Sequence, residues 1–383
     1  MSFYGKRICF LLMLSAVLLT SVVFAGCKGM PEASKAQDGS GTSASSVDSK
    51  VEEVLASMSL TEKLGQMVMI GIGNSSADQD ALYMLHQFHF GGVILFDRNM
   101  ESKEQVAKLT ADLQKGAEEK VPLFIAIDEE GGRVARMKEK LAPPPSQLSI
   151  GQTGDPKNAE KWAISISKEL KAMGINVNFA PVADLGSFKE RHYSEDPETV
   201  AAFVNAAADG YEAEGEFYSL KHFPGIGKGQ TDTHLDMVVV DAPKETLMAE
   251  DVLPFQSVIK SRKPENYFVM VSHIIYPQIS GDVPSSLSES VMTGLLRKEL
   301  GFDGIIITDD MEMGAIAKYY GTREIGVKAV KAGADIVMVC QEYPHQEDVY
   351  MGLLEAVKAG EIPEERVNAS VRRILKAKLS HLN

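Results

Sequence analysis

Cysteine is scarce in this sequence: three residues in 383, at positions 9, 27 and 340. Cys9 lies in an apolar leader and Cys27 at its end, so the body keeps Cys340 alone and no disulfide framework can form within it. Basic charge is also in deficit. Lys and Arg number 39 against 53 Asp and Glu, a formal net charge of -14. A duplex-binding surface must replace phosphate counterions with cations, so a nucleic-acid partner is not expected. Metal-hydrolase signatures are missing too. His192, His222, His234 and His273 are present, but no His-x-His stands on the first strand and no His-Glu-x-x-His helix occurs, so neither metal nor cofactor is expected. Gly225, Gly227 and Gly229 are not followed by the Gly-Lys-Ser/Thr of a phosphate loop. No repeat of solenoid period is visible.

What is present begins with one long apolar run, residues 8–24, behind Lys6 and Arg7 and closed by Ala25-Gly26-Cys27. A positive start, an apolar stretch and small residues mark an export signal. The cysteine after Ala-Gly resembles the lipobox of bacterial lipoproteins, with Phe24 where leucine is usual. The resemblance implies a signal peptide over 1–26, lipidation at Cys27 and an extracytoplasmic protein held on the cell membrane; an uncleaved anchor is the alternative. Residues 28–46 are rich in Ser, Gly, Ala, Lys and Asp and hold too little apolar surface to offset ordering entropy. Residues 27–50 therefore read as a flexible tether, and 51–383 as the folded body.

With 44% hydrophobic and 24% charged residues, that body can bury a sizeable core. Short apolar strands are expected at 66–70, 92–95, 123–127, 177–180, 218–221, 267–271, 304–307 and 335–339. Ile305-Ile306-Ile307 and Ile336-Val337-Met338-Val339 read as buried parallel strands, continuously apolar rather than alternating. Apolar spacing of three and four predicts helices over 103–118, 158–173, 197–214, 244–261, 288–300, 323–332 and 364–379. Eight strands with helical crossovers indicate an α/β fold, a (β/α)8 TIM-type barrel in a single catalytic domain. A doubly wound open sheet is the alternative.

Barrel chemistry sits at the C-terminal ends of strands, and polar residues collect there. The third strand ends in Asp128-Glu129-Glu130-Gly131-Gly132-Arg133. The fourth leads to Asp184 and Arg191, the fifth to Lys221-His222 and then Asp232-Thr233-His234, the sixth to Ser272-His273, the seventh to Thr308-Asp309-Asp310. Each has a plainer reading: a carboxylate after a strand can cap the next helix, and Lys221 and His222 can pack the rim. It is the assembly at one mouth that points to chemistry.

At these residues the chain resembles the β-N-acetylglucosaminidase (β-hexosaminidase) branch of glycoside hydrolase family 3. The resemblance runs over about 51–378. It is carried by Met-Ser-Leu-Thr-Glu-Lys-Leu-Gly-Gln-Met at 58–67, Gly-Gly-Val-Ile-Leu-Phe at 91–96, Asp-Glu-Glu-Gly-Gly-Arg at 128–133 and Phe-Ala-Pro-Val-Ala-Asp at 179–184. Arg-His-Tyr-Ser-Glu-Asp-Pro at 191–197, Lys-His-Phe-Pro-Gly-Ile-Gly at 221–227, Asp-Thr-His at 232–234 and Gly-Phe-Asp-Gly-Ile-Ile-Ile-Thr-Asp-Asp-Met-Glu-Met at 301–313 continue it. It implies a retaining exo-β-N-acetylglucosaminidase on carbohydrate substrate; peptidoglycan fragments and chitin oligomers both fit, and the expected place outside the cytoplasm makes wall turnover the leading reading. Asp309 corresponds to the nucleophile and His234 to the acid/base, held by Asp232. Asp128, Arg191, Lys221 and His222 correspond to residues that grip the sugar, and Arg133 to a further motif residue at the substrate.

Two positions depart from the family pattern: Glu129 stands for a usual glutamine and Ile226 for a usual histidine. The chain also lacks, after the barrel, the second α/β domain of many family 3 β-glucosidases, which favours the acetylglucosaminidase branch. A histidine suits the acid/base role because its ordinary pKa, about 6.5, lets it give and recover a proton near neutrality. Positions 232 and 234 of an extended loop face one side, so the pair can meet. Lys221 and Arg191 are expected to keep Asp309 ionised by opposite charge. Two rival functions remain open on sequence: a phosphorylase, since histidine does not repel phosphate as glutamate would, and a non-catalytic lipid-anchored sugar-binding protein.

Overall fold

The computed structural model describes residues 40–117, 120–137, 142–186, 190–229 and 236–382, with side chains from residue 47 onward. The expected signal peptide, Cys27, and the Asp232 and His234 pair lie outside the described residues.

Eight parallel strands close into a barrel in chain order. They are β1 (Val68–Gly71), β2 (Gly92–Leu95), β3 (Phe124–Ile127), β4 (Val177–Asn178), β5 (Phe217–Phe223), β6 (Tyr267–Val271), β7 (Ile305–Asp310) and β8 (Ile336–Val339). Val68 pairs with Val337 and Ile70 with Val339, and that last seam excludes an open sheet. β1 through β6 and β8 are buried along their whole length, as expected for strands covered by helices outside and side chains within.

Aromatic rings fill the interior. Phe124, Phe217 and Phe268 meet edge-on across the barrel, with centroids 5.1–5.9 Å apart. Below them the Lys378 ammonium lies 4.7 Å from the Phe124 ring. That lysine is fully buried and donates to Gln66 Oε1 and the Gly91 carbonyl, both at 2.7 Å. On the outside, Tyr218 stacks on Tyr211 of the helix Pro197–Glu214, centroids 5.6 Å apart. From Phe217 to Lys221, odd-numbered residues of β5 thus face inward and even-numbered ones face the helices, the period-two rule of a strand.

Several helices differ from the sequence reading. The stretch expected as one helix over 244–261 is two, Lys244–Ala249 and Leu253–Ser261. Glu250 leaves helical geometry at φ -116°, ψ -81°, and Pro254, lacking an amide hydrogen, fits only the first turn of a new helix. Residues Ser290–Glu299 form a π-helix, with the Leu300 amide reaching the Leu295 carbonyl at 2.9 Å. Helices Gln79–Phe88 and Tyr343–Lys358 were not foreseen. A helix Ser40–Ser57 also begins ahead of residue 51, inside the stretch read as tether.

Candidate active site

A cavity of about 450 Å³ opens where the strands end, and Asp128, Arg133, Arg191, Lys221, His222 and Asp309 all line it. Two ladder irregularities explain how adjacent residues reach it together. Between β5 and β6, Leu220 pairs with Val269 but Phe223 pairs with Val271, so β5 carries one extra residue. Between β7 and β8, Ile307 pairs with Ile336 but Asp310 pairs with Met338, again one extra. Strict alternation would send His222 outward on the Tyr218 side. The extra residue lets Lys221 and His222 share the mouth, and likewise Asp309 and Asp310. Bulges beside active sites re-aim side chains in this way.

The polar groups form one continuous chain of alternating charge. Arg136 reaches Asp97 at 3.2 Å and Asp128 at 3.3 Å. The Lys221 ammonium lies 2.7 Å from both Asp128 and Glu130. Arg191 grips Glu130 with two hydrogen bonds, from Nε at 2.8 Å and Nη2 at 2.7 Å. Its Nη2 is also 3.3 Å from His222 Nε2. The His222 Nδ1 faces Asp184 Oδ2 at 2.8 Å. A carboxylate can only accept, so Nδ1 carries the hydrogen. Asp184 Oδ1 accepts the amides of His222 at 3.0 Å and Ile226 at 2.9 Å.

These contacts set protonation. Burial penalises the Glu130 anion, but Lys221 and Arg191 outweigh it and hold the carboxyl far below the usual range. Burial likewise disfavours the Lys221 cation, yet Asp128 and Glu130 raise its pKa above the ordinary value. At Asp309 burial is overcome by His222 and His273, by the Asp310 amide donating at 2.8 Å, and by Lys221, so the carboxyl is lowered. Lys221 acts there as expected. The fork of Arg191 is hydrogen-bonded to Glu130. Asp310 moves the other way, up to about 6, driven first by burial and then by Glu312 and Asp309. Two adjacent carboxyls with opposed shifts give one group that stays an anion and one that holds a proton longer.

The sequence of the whole barrel matches the family described as the glycosyl hydrolase family 3 N terminal domain, over residues 59–377. The chain belongs to glycosyl hydrolase family 3. Beta-hexosaminidase A of Pseudoalteromonas piscicida is 34% identical over 325 residues, covering 77% of this chain and 54% of that relative, so the chain spans about half that protein's length. A beta-hexosaminidase of Xylella fastidiosa (strain M12) is 35% identical over 284 residues, 72% of this chain and 83% of the relative. The solved family 3 beta-N-acetylglucosaminidase from Paenibacillus sp. superposes with a TM-score of 0.82 at 38% identity, covering 85% of this chain and 64% of that one. The family and branch expected from sequence are the ones found.

Within this family 3 chain, sequence reasoning gave no catalytic or sugar-binding role to four residues of the site. Glu130 and Asp184 sit inside recognised motifs and were placed at strand ends without partners. Their partners lie 61 and 38 positions away, at Arg191 and His222. Arg136 carried no motif signal. His273, buried, spans from the Ser286 hydroxyl at 2.7 Å to the Asp310 carbonyl at 2.9 Å and so fixes the end of β7. Among the described residues, no group of three or more His, Cys, Asp and Glu is placed to hold a metal ion.

Proposed function

We propose that this family 3 chain is a retaining exo-β-N-acetylglucosaminidase, removing terminal β-N-acetylhexosamine from short glycans such as peptidoglycan-derived fragments. The observation that carries the reading is the convergence of Asp309 with Asp128, Arg191, Lys221 and His222 on one cavity from four separate strand ends. The relatives' names, beta-hexosaminidase and beta-N-acetylglucosaminidase, favour the acetylated substrate.

In this mechanism the Asp309 carboxylate attacks the anomeric carbon. The His234 imidazolium, oriented by Asp232, gives its proton to the departing glycosidic oxygen. A covalent glycosyl-enzyme results. Neutral His234 then takes a proton from water, whose oxygen displaces Asp309 with net retention. Asp128 and the cations around it hydrogen-bond the sugar hydroxyls, and Arg133 stands at the rim for the rest of the substrate. Asp309 suits attack because its carboxyl is held low and so stays ionised.

The same reading places the protein outside the cytoplasm, acylated at Cys27 after removal of residues 1–26 as signal. What supports this is the Lys6-Arg7 start, the apolar run and Ala25-Gly26-Cys27. Loss of a fatty-acyl label and of membrane retention in Cys27→Ser is the expected result; full retention would count against it.

The deciding experiment is product analysis on muropeptide fragments and chitobiose, with and without phosphate. Free N-acetylglucosamine is expected in both; a sugar 1-phosphate formed only with phosphate would make the protein a phosphorylase. Asp309→Asn and His234→Ala should each lose most turnover of an aryl N-acetylglucosaminide. Near-normal turnover by either folded variant would sink the assignment, and tight sugar binding without turnover by the parent would point to a binding protein.

A further inference from the structure

Glu129 lies between two residues that line the cavity, Asp128 and Glu130, but is itself turned behind the mouth. It is 1% exposed. Its Oε2 accepts the Arg136 amide at 2.8 Å, while Oε1 has no hydrogen-bond partner among the described residues. Its backbone is pinned on both sides by Asn178, which accepts from its amide and donates to its carbonyl, each at 3.0 Å. The charged and titratable groups facing it are Arg136, Asp128 and Asp97, with the Tyr211 phenol from the helix behind. The Arg136 guanidinium is already divided between Asp97 and Asp128. A carboxylate at Glu129 would therefore face two carboxylates and one guanidinium engaged by both.

We propose that Glu129 is a positioning residue that works as a neutral acid: it holds the Arg136 backbone so that the guanidinium stays on Asp128, and its ionisation loosens that sugar-binding end of the charge chain. Burial pushes this carboxyl up to about 8, with the Arg136 amide and guanidinium opposing and Asp128 and Asp97 adding. The acid form thus dominates at neutrality and the anion appears in mild alkali. The inference rests on the reading of Asp128 as a sugar-binding group.

Glu129→Gln is the test, because the amide has the same shape and keeps an acceptor for Arg136 without titrating. The first readout is thermal stability against pH, which needs no substrate. Free glutamate titrates at about 4.3, so between there and about 8 the folded parent binds the extra proton and its stability falls as pH rises. That slope should be missing in E129Q. The second readout is kcat and KM against pH. Loosened ground-state grip raises KM and leaves kcat little changed, so the parent should show an alkaline rise in KM centred at about 8. In E129Q that rise should be absent, because the amide does not titrate. Parallel stability curves would overturn the proposal whatever the turnover. Different stability curves with the same KM profile would reduce Glu129 to a structural acid and overturn its positioning role. No turnover by either protein would count against the glycosidase reading, and N-acetylglucosamine affinity against pH then replaces KM as the readout that decides.

Discussion

Lys221 and Glu130 form an ion pair of 2.7 Å with side chains only 2% and 1% exposed. Lys221→Met removes the ammonium and leaves Asp128 and Glu130 facing each other. An orphaned buried charge costs about 3–5 kcal/mol. Arg191 keeps its fork on Glu130, so a loss near the lower end is expected, together with a large rise in KM. Urea unfolding at pH 7 measures the first. A loss under about 1 kcal/mol would mean the pair behaves like a surface bridge.

Asp184 ties together the ring of His222 and the amide of Ile226, the start of the segment that leads to Asp232 and His234. In Asp184→Asn one oxygen can still accept the two amides. The new NH2, however, meets the His222 Nδ1 hydrogen, and moving that hydrogen to Nε2 brings it against Arg191. Losing a charged hydrogen bond in a buried site costs about 1.5–3 kcal/mol. A fall in kcat/KM of about 10- to 100-fold is expected. Kinetics unchanged from the parent would show that the ring orientation is set elsewhere.

Gly227 has no room for a side chain. A Cβ there would stand 1.4 Å from the Leu185 carbonyl oxygen, so the backbone of Gly227→Ala must retreat from Leu185. The barrel core does not depend on this contact, and the circular dichroism of the variant should match the parent. Displacement of reacting groups by about 1 Å can cost about 100-fold in rate, and kcat should fall by at least about tenfold. A variant with full kcat would show that this seat is not needed for catalysis.

Asp310 and Asp309 should leave opposite marks on stability against pH. The Asp310 carboxyl is raised to about 6, so the fold binds its proton more tightly than the unfolded chain, whose aspartates titrate at about 3.9. Its contribution is complete below that value and is lost as pH rises through about 6. Asp309 is lowered, so its contribution is present above the unfolded value and is lost on acidification. Asp310→Asn should flatten the decline between pH 4 and 6, whereas Asp309→Asn should flatten the acid-side loss. Thermal midpoints from strong acid to neutrality for both variants check the signs; the same change in both would mean that the carboxyls titrate as one unit.

Most strands were legible because they are short, buried runs that are largely apolar, and β2 and β6 fall at the expected boundaries. The helix Gln79–Phe88 was not, since its apolar face is brief: Ala81, Met84, Leu85 and Phe88. The break at Glu250 was hidden because apolar spacing continues across it while Pro254 and the Lys228–Asp251 pairing override it. In the site, residues beside a strand end were readable from the barrel rule alone. Which of them meet was not. The bidentate match of Arg191 to Glu130, created only when the β3 and β4 loops fold together, had no local signal in the sequence.

The paired irregularities in β5 and β7 carry a consequence for how such a site can be lost. Each places two neighbouring side chains on one side by adding a single residue to a ladder. Deleting one residue before Lys221 or before Asp309 would restore strict alternation and turn one member of each pair toward the helices. No substitution would be required. In this barrel the inventory of functional groups is a matter of chain length between two pairings, so a one-codon deletion there silences the mouth while Lys221, His222, Asp309 and Asp310 all remain encoded.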